Sequence, residues 1–296
     1  MASLNRVVVV GGTHGNEKTG VQLIHRLQNN PQELTRESFT AQTLLANEAA
    51  IARNCRYLEQ DLNRCFTDEL LSEAAANKEQ ALAQAINRQF GPKGPDSKTE
   101  WMIDLHTTTA NMGITLVVQQ HDPIALDMAH YVQQKLPEAV IFYENNTSAA
   151  DPFLCSVARH GFLIEVGPIP QGLLRWEIFE QTRQALSHSL DFIERLDAGE
   201  IDLESPREAE VFQFVEKLHL PRNTAGEISG MVHPDLQDKD YHQLKPGEPL
   251  FILDTGQTIP FDGPEPVHVA FVNEAAYYDQ AYGLSIMRKR SLSWKH

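Results

Sequence analysis

A histidine and a glutamate three positions apart, His14 and Glu17, sit in the glycine-rich stretch GGTHGNEKTG at 11–20. Zinc accepts imidazole nitrogen and carboxylate oxygen, and a catalytic zinc site takes three protein ligands and a water. His14 and Glu17 can close on one ion if the backbone turns sharply, and Gly11, Gly12 and Gly15 permit that turn. His106, in DLHTTT at 104–109, is the remote residue that would complete the set. The competing reading of the loop is a solvated glycine bend of the phosphate-binding kind. A dinucleotide fingerprint and a P-loop are both missing, since neither G-x-G-x-x-G nor G-K-[ST] is present. His106 taken alone could equally be a strand-end histidine bonded to backbone. Asp104 precedes it by two, and alternate residues of a strand share a face. Asp104 could therefore orient a ligating imidazole, that of His106 or of His14, or it could cap the next turn.

Glu165 lies in LIEVGP at 163–168, between apolar neighbours that read as buried. A buried carboxylate without a partner is costly, so it needs a counter-ion or a task. Beside a metal-activated water it can take a proton and later deliver it to a leaving amine. The alternative is a structural salt bridge to an internal arginine. In CRYLEQDLNR, at 55–64, Arg56, Asn63 and Arg64 could clamp a carboxylate and polarise a carbonyl, with Asp61 among them. A solvated charged turn is the plainer reading of that stretch.

These residues need a scaffold that brings distant segments together. Val7–Val10 is a β-branched run that reads as a buried parallel strand. Val21, Ile24 and Leu27 give a helical stripe after the glycine loop, and Leu82, Ile86 and Phe90 place a helix over Lys78–Phe90. Strands are expected at Trp101–Leu105, Ile114–Val118, Ala139–Tyr143 and Phe162–Val166, with helices from about Pro123 and over Trp176–Leu196. The alternation predicts an α/β sheet covered on both faces. GGTHGNEKTG, DLHTTT and LIEVGP each sit at the C-terminal end of an expected strand, the edge where open α/β sheets bind ligands. Asp197–Glu210 reads as a polar linker, and the Pro-, Gly- and Asp-punctuated sequence beyond it as a small β-rich domain. The expected division is a catalytic domain over 1–199 and a β-rich C-terminal domain over 200–296.

The chain has 296 residues, a formal charge of -15 and 42% hydrophobic residues. That composition predicts a packed core and argues against a nucleic-acid partner, which needs a basic face. A few arginines can still make a local positive pocket for an anionic small molecule. Cys55, Cys65 and Cys155 form no disulfide framework by count or spacing. No secretory signal or membrane span is legible, so a soluble cytoplasmic protein is expected. A homo-oligomer is compatible with base rates.

GGTHGNE, CRYLEQDLNR, DLHTTTANMG, IEVGPIPQG, HPDLQDKDY and FVNEAAYY follow one another in that order. Together they resemble the aspartoacylase branch of the aspartoacylase and succinylglutamate desuccinylase family, from about Val7 to Tyr278. The resemblance implies a zinc-carboxypeptidase-like mixed α/β fold with helices flanking the sheet and a smaller β-rich domain that completes the substrate pocket. It implies one zinc ion per subunit on His14, Glu17 and His106, with Glu165 as general base and then acid. Arg56 would polarise the scissile carbonyl, Asn63 and Arg64 would hold the α-carboxylate, and Tyr277 would reach into the pocket with Glu274 in support. The implied reaction is hydrolysis of the amide of a small N-acyl amino acid, with N-acetyl-L-aspartate as the leading substrate. One departure bears on that choice. Cys155 stands where the aspartoacylases carry an arginine for the side-chain carboxylate, and a thiol cannot form that charged fork. N-acyl amino acids with uncharged or aromatic side chains are the alternative substrates, and Arg159 is the nearby residue that could substitute. Zinc carboxypeptidase action and metal-dependent binding without hydrolysis are the other readings.

Overall fold

The computed structural model describes residues 7–295. Strand β1 (Val7–Gly11) is buried along its whole length, with alternate valines feeding opposite sides of the sheet. Val7 and Val9 pack under helices α1 (Lys18–Asn29), α5 (Pro123–Lys135) and α6 (Trp176–Asp197). Val8 and Val10 face helix α4 (Lys78–Phe90) and the loop around Leu62 and Phe66. A sheet sandwiched this way needs near-continuous apolar strands, which is the pattern the sequence shows.

Around β1 lie β2 (Gln42–Leu45) and β3 (Trp101–Thr107), both parallel to it, and β6 (His160–Gly167) runs parallel to β3. Beyond β6 come β4 (Gly113–Gln119), antiparallel to β6, and β5 (Val140–Glu144), parallel to β4. The expected strands and long helices are therefore present. Short α2 (Glu48–Arg53) and α3 (Asp68–Ser72) join β2 to α4.

The polar stretch after α6 is shorter than the expected linker. Strand β7 (Arg207–His219) begins inside it, and Glu208 to Glu210 pair with β13 (Tyr282–Trp294). Alternating charge and hydrophobe there suits an antiparallel ribbon with one wet face rather than a loop. Strand β7 also pairs with β5, so one sheet runs β2-β1-β3-β6-β4-β5-β7-β13-β12-β9, where β12 is Val267–Ala270 and β9 Gln243–Leu244. A second sheet of β8 (Gly230–Val232), β10 (Pro249–Leu253) and β11 (Thr258–Pro260) encloses a separate apolar cluster around Phe251, Val269 and Leu284. The molecule is thus a mixed α/β sheet flanked by helices with a β-rich C-terminal part. No helix of the described residues is long and apolar enough to cross a membrane.

Candidate metal centre and active site

His14 leaves β1 through a turn in which Gly12 has φ +72, a conformation that side chains disfavour. Gly15 is needed for a different reason: a Cβ there would lie 2.1 Å from the Ala50 backbone at the start of α2. Glu17 occupies the position before α1 but makes no capping bond with its side chain. Its carboxylate is taken up by the histidines instead. Glu17 Oε1 is 2.7 Å from His14 Nδ1, and Oε2 is 3.0 Å from His106 Nδ1. The Thr107 backbone N–H donates to Oε2 as well, at 3.0 Å. One donor atom each from His14, Glu17 and His106 lie within 4.8 Å of one another, and all three residues are buried.

The far side of each ring is held by another carboxylate. Asp104 Oδ2 lies 2.9 Å from His106 Nε2, and Asp61 Oδ1 lies 2.8 Å from His14 Nε2. Asp104 is oriented in turn by the Thr13 hydroxyl, which donates at 2.8 Å. Of the two histidines that Asp104 could serve, it serves the one on its own strand face. Two Nδ1 atoms converging on a carboxylate, each ring backed by a carboxylate at Nε2, is the donor set and outer support that a zinc-type ion requires.

Arg56 joins the two acids. Its Nη1 donates to Glu17 Oε1 at 3.0 Å, and Nε and Nη2 fork onto Asp61 Oδ2 at 3.2 and 3.0 Å. Two of its five N–H groups remain for a ligand. Although burial opposes ionisation of Glu17, the charges of His14 and His106 hold its carboxyl well below the usual range. Asp61 is likewise held low by His14 and then Arg56, against its burial. Glu165 goes the other way. Burial, with the neighbouring Glu17 charge adding to it, pushes its carboxyl up to about 8. It stands beside His106 in the β3–β6 register and lines the same cavity.

Asn63 is buried and spends its side-chain oxygen on the Leu154 N–H at 2.7 Å, with its nitrogen 3.5 Å from His106 Nε2. Arg64 donates to the Asn63 carbonyl at 2.7 Å and lies over the Phe153 ring. From the C-terminal part, Tyr277 enters the cavity on a short 3-10 turn, Ala275–Gln280. Glu274 caps that turn through Ala276 N–H at 3.0 Å and accepts from Thr109 N–H at 2.8 Å and from the Thr108 hydroxyl. His14, Glu17, Arg56, Asn63, Arg64, His106, Glu165, Glu274 and Tyr277 line one cavity, and Asp61 and Asp104 stand behind the rings. Cys155 is buried but does not line it, and Arg159 turns away to Glu100 at 3.2 Å.

Three contributors had no assigned role in the sequence. Asp61 lies within a legible motif, yet nothing in the motif indicates that it backs His14. Glu79 accepts the N–H groups of Leu58 at 2.7 Å and Glu59 at 3.2 Å, holding the loop that carries Arg56. An acid on the buried stripe Glu79, Ala83, Ile86, Phe90 was a readable signal for it. Lys217, on β7, lines the cavity with its ammonium 4.1 Å from the Tyr277 ring centre.

A mixed sheet with such a centre at its strand ends defines a class, the α/β proteins with a candidate hydrolytic metal site. The chain belongs to the succinylglutamate desuccinylase/aspartoacylase family: the family's catalytic domain matches residues 3–193 and the AstE/AspA barrel-sandwich hybrid domain residues 207–289. It is 39% identical to a protein described as a probable aspartoacylase from Trichodesmium erythraeum, over 99% of both chains. It is 40% identical to the N-acyl-aromatic-L-amino acid amidohydrolase (carboxylate-forming) of Xenopus tropicalis, over 94% of this chain and 91% of that one. The crystal structure of murine aminoacylase 3 superposes with a TM-score of 0.92 at 38% identity, over 99% of this chain and 98% of that one.

Proposed function

We propose that the protein is a zinc-dependent amidohydrolase that cleaves the amide of small N-acyl amino acids. The observation that carries the reading is the His14–Glu17–His106 cluster with the Glu165 carboxyl beside it in the same cavity. His14, Glu17 and His106 would hold one zinc ion, which when bound supplies Lewis acidity and an acidified water. Glu165 takes the proton of the attacking water and returns it to the departing α-amine, and its elevated proton affinity suits the second task. The free N–H groups of Arg56 face the charge that develops on the carbonyl oxygen. Arg64, steadied by the Asn63 carbonyl and Phe153, holds the α-carboxylate. Tyr277 closes the cavity from the C-terminal side.

The surroundings favour an uncharged, aromatic side chain on the substrate. Phe142, Phe153, Phe214 and Phe271 line the cavity, while neither Cys155 nor Arg159 offers it a cation. N-acetyl-L-aspartate is the second reading, and Lys217 is what favours it. Its ammonium lines the cavity and has no carboxylate within ion-pair distance among the described residues. Measuring kcat/KM with N-acetyl-tyrosine, N-acetyl-methionine and N-acetyl-aspartate separates the two. The aromatic substrate should exceed the aspartate by at least about tenfold, since a ring buried against the four phenylalanines gains more than a second carboxylate gains from Lys217 alone. A preference for N-acetyl-aspartate would reverse the order, and hydrolysis of none of them, with dipeptides cut instead, would favour a carboxypeptidase.

A further inference from the structure

Glu144 is a cavity-lining carboxyl that the hydrolytic chemistry does not use. It is the last residue of β5. Arg64 and Lys217 act on it only through space, and neither hydrogen-bonds to it. Burial holds its proton affinity up to about 7. Glu144 is partly buried and makes no side-chain hydrogen bond among the described residues, so its carboxyl oxygens are open to a donor brought by a ligand.

Strand register locates it relative to the chemistry. Glu165 stands opposite Thr115 and Leu163 opposite Val117 on β4, and Val117 and Gln119 pair with Phe142 and Glu144 on β5. Paired and alternate residues share a face. Glu165, Leu163, Val117, Phe142 and Glu144 therefore form one continuous cavity floor. The catalytic carboxyl lies at one end, apolar side chains in the middle and a second carboxyl at the other end. A ligand that fits this order carries its scissile amide at the Glu165 end and an apolar body over the floor. A group that satisfies a carboxyl oxygen would then follow.

We propose that Glu144 is a specificity-determining residue that accepts a hydrogen bond from a donor at the tip of the substrate's side chain. The site thereby selects N-acyl amino acids with an aromatic body and a distal O–H or N–H, such as a phenol or an indole, and disfavours side chains ending in a carboxylate. This rests on the deacylase reading above. Its physical basis is that a site built around a polar group discriminates against an analogue lacking the matching group, because the carboxyl is then left unpaired. A second carboxylate at that end adds like-charge repulsion.

The test compares N-acetyl-tyrosine, N-acetyl-phenylalanine and N-acetyl-aspartate on the zinc-loaded protein, as kcat/KM at pH 8. Calorimetric binding to Glu165→Ala, with and without the Glu144 substitution, supplies a readout independent of turnover. Glu144→Met should reduce the tyrosine-to-phenylalanine preference by about fivefold or more in both measurements. Glu144→Gln keeps an acceptor and removes the charge. It should hold that preference within about twofold while raising aspartate relative to phenylalanine by about fivefold. Hydrolysis with both ratios unchanged in both variants overturns the assignment of Glu144 and leaves the deacylase reading intact. No hydrolysis by the wild type, with the binding preference lost in Glu144→Met, sinks the deacylase reading and supports the recognition role.

Discussion

Glu17 and Glu165 share one cavity and are pushed in opposite directions, the first held well below the usual carboxylate range and the second up to about 8. Two flanking imidazoles make the difference for Glu17, and burial makes it for Glu165. Such divergence separates a ligand from an acid–base group. Glu165→Gln should retain zinc and lose about three decades of kcat, because both proton transfers of the proposed mechanism pass through this side chain. Near-normal turnover in that variant would remove Glu165 from the chemistry. Glu144 gives a stability prediction. Its carboxyl is raised to about 7, so its favourable contribution is complete below the unfolded value near 4.5 and is lost as pH rises through about 7. Glu144→Gln should accordingly gain in Tm relative to wild type between pH 5 and pH 9, and a difference that does not vary with pH would contradict the assigned environment. At this scale His14, Glu17, His106 and Glu165 were legible because their types match metal and proton chemistry. Asp61 was not assignable, because the contact that gives it a role spans 47 positions.

The elements that present these residues depend on two tight supports. Gly15 lets α2 approach the loop of His14, and Glu79 on α4 holds the loop of Arg56 through backbone N–H groups. Glu79→Ala would remove the acceptor of those part-buried amides and should cost about 1.5 kcal/mol in denaturant unfolding, with turnover reduced as Arg56 loosens. A loss under about 0.5 kcal/mol would show that the loop stands without it. Short apolar runs located β1, β3, β4, β5 and β6, which are buried on both faces, and helical stripes located α1, α4, α5 and α6. It did not reveal that β4 runs antiparallel to β6, nor that β7 starts within the polar stretch after α6. Direction and pairing partner are set by distant segments, and charged residues on the wet face of a ribbon look locally like a loop.

At the level of the whole molecule, the continuous sheet carries β7 and β13 from the C-terminal part alongside β5, so that Phe214, Lys217 and Ser285 line the same cavity as Phe142 and Glu144. The cavity is therefore lined by both parts of the chain. The formal charge of -15 coexists with a cavity into which Arg56, Arg64 and Lys217 all project. Cations placed among the cavity's own carboxyls suit capture of a small anion, and the acidic balance of the chain gives little attraction for nucleic acid. Everything in the proposed chemistry depends on one ion at the meeting point of β1, β3 and α1. Crystals of the active protein measured across the zinc absorption edge test this directly. The account predicts one anomalous peak about 2.0–2.1 Å from the Nδ1 atoms of His14 and His106 and within bonding distance of the Glu17 carboxylate. Active protein with no peak there, or with its zinc bound elsewhere, would contradict it.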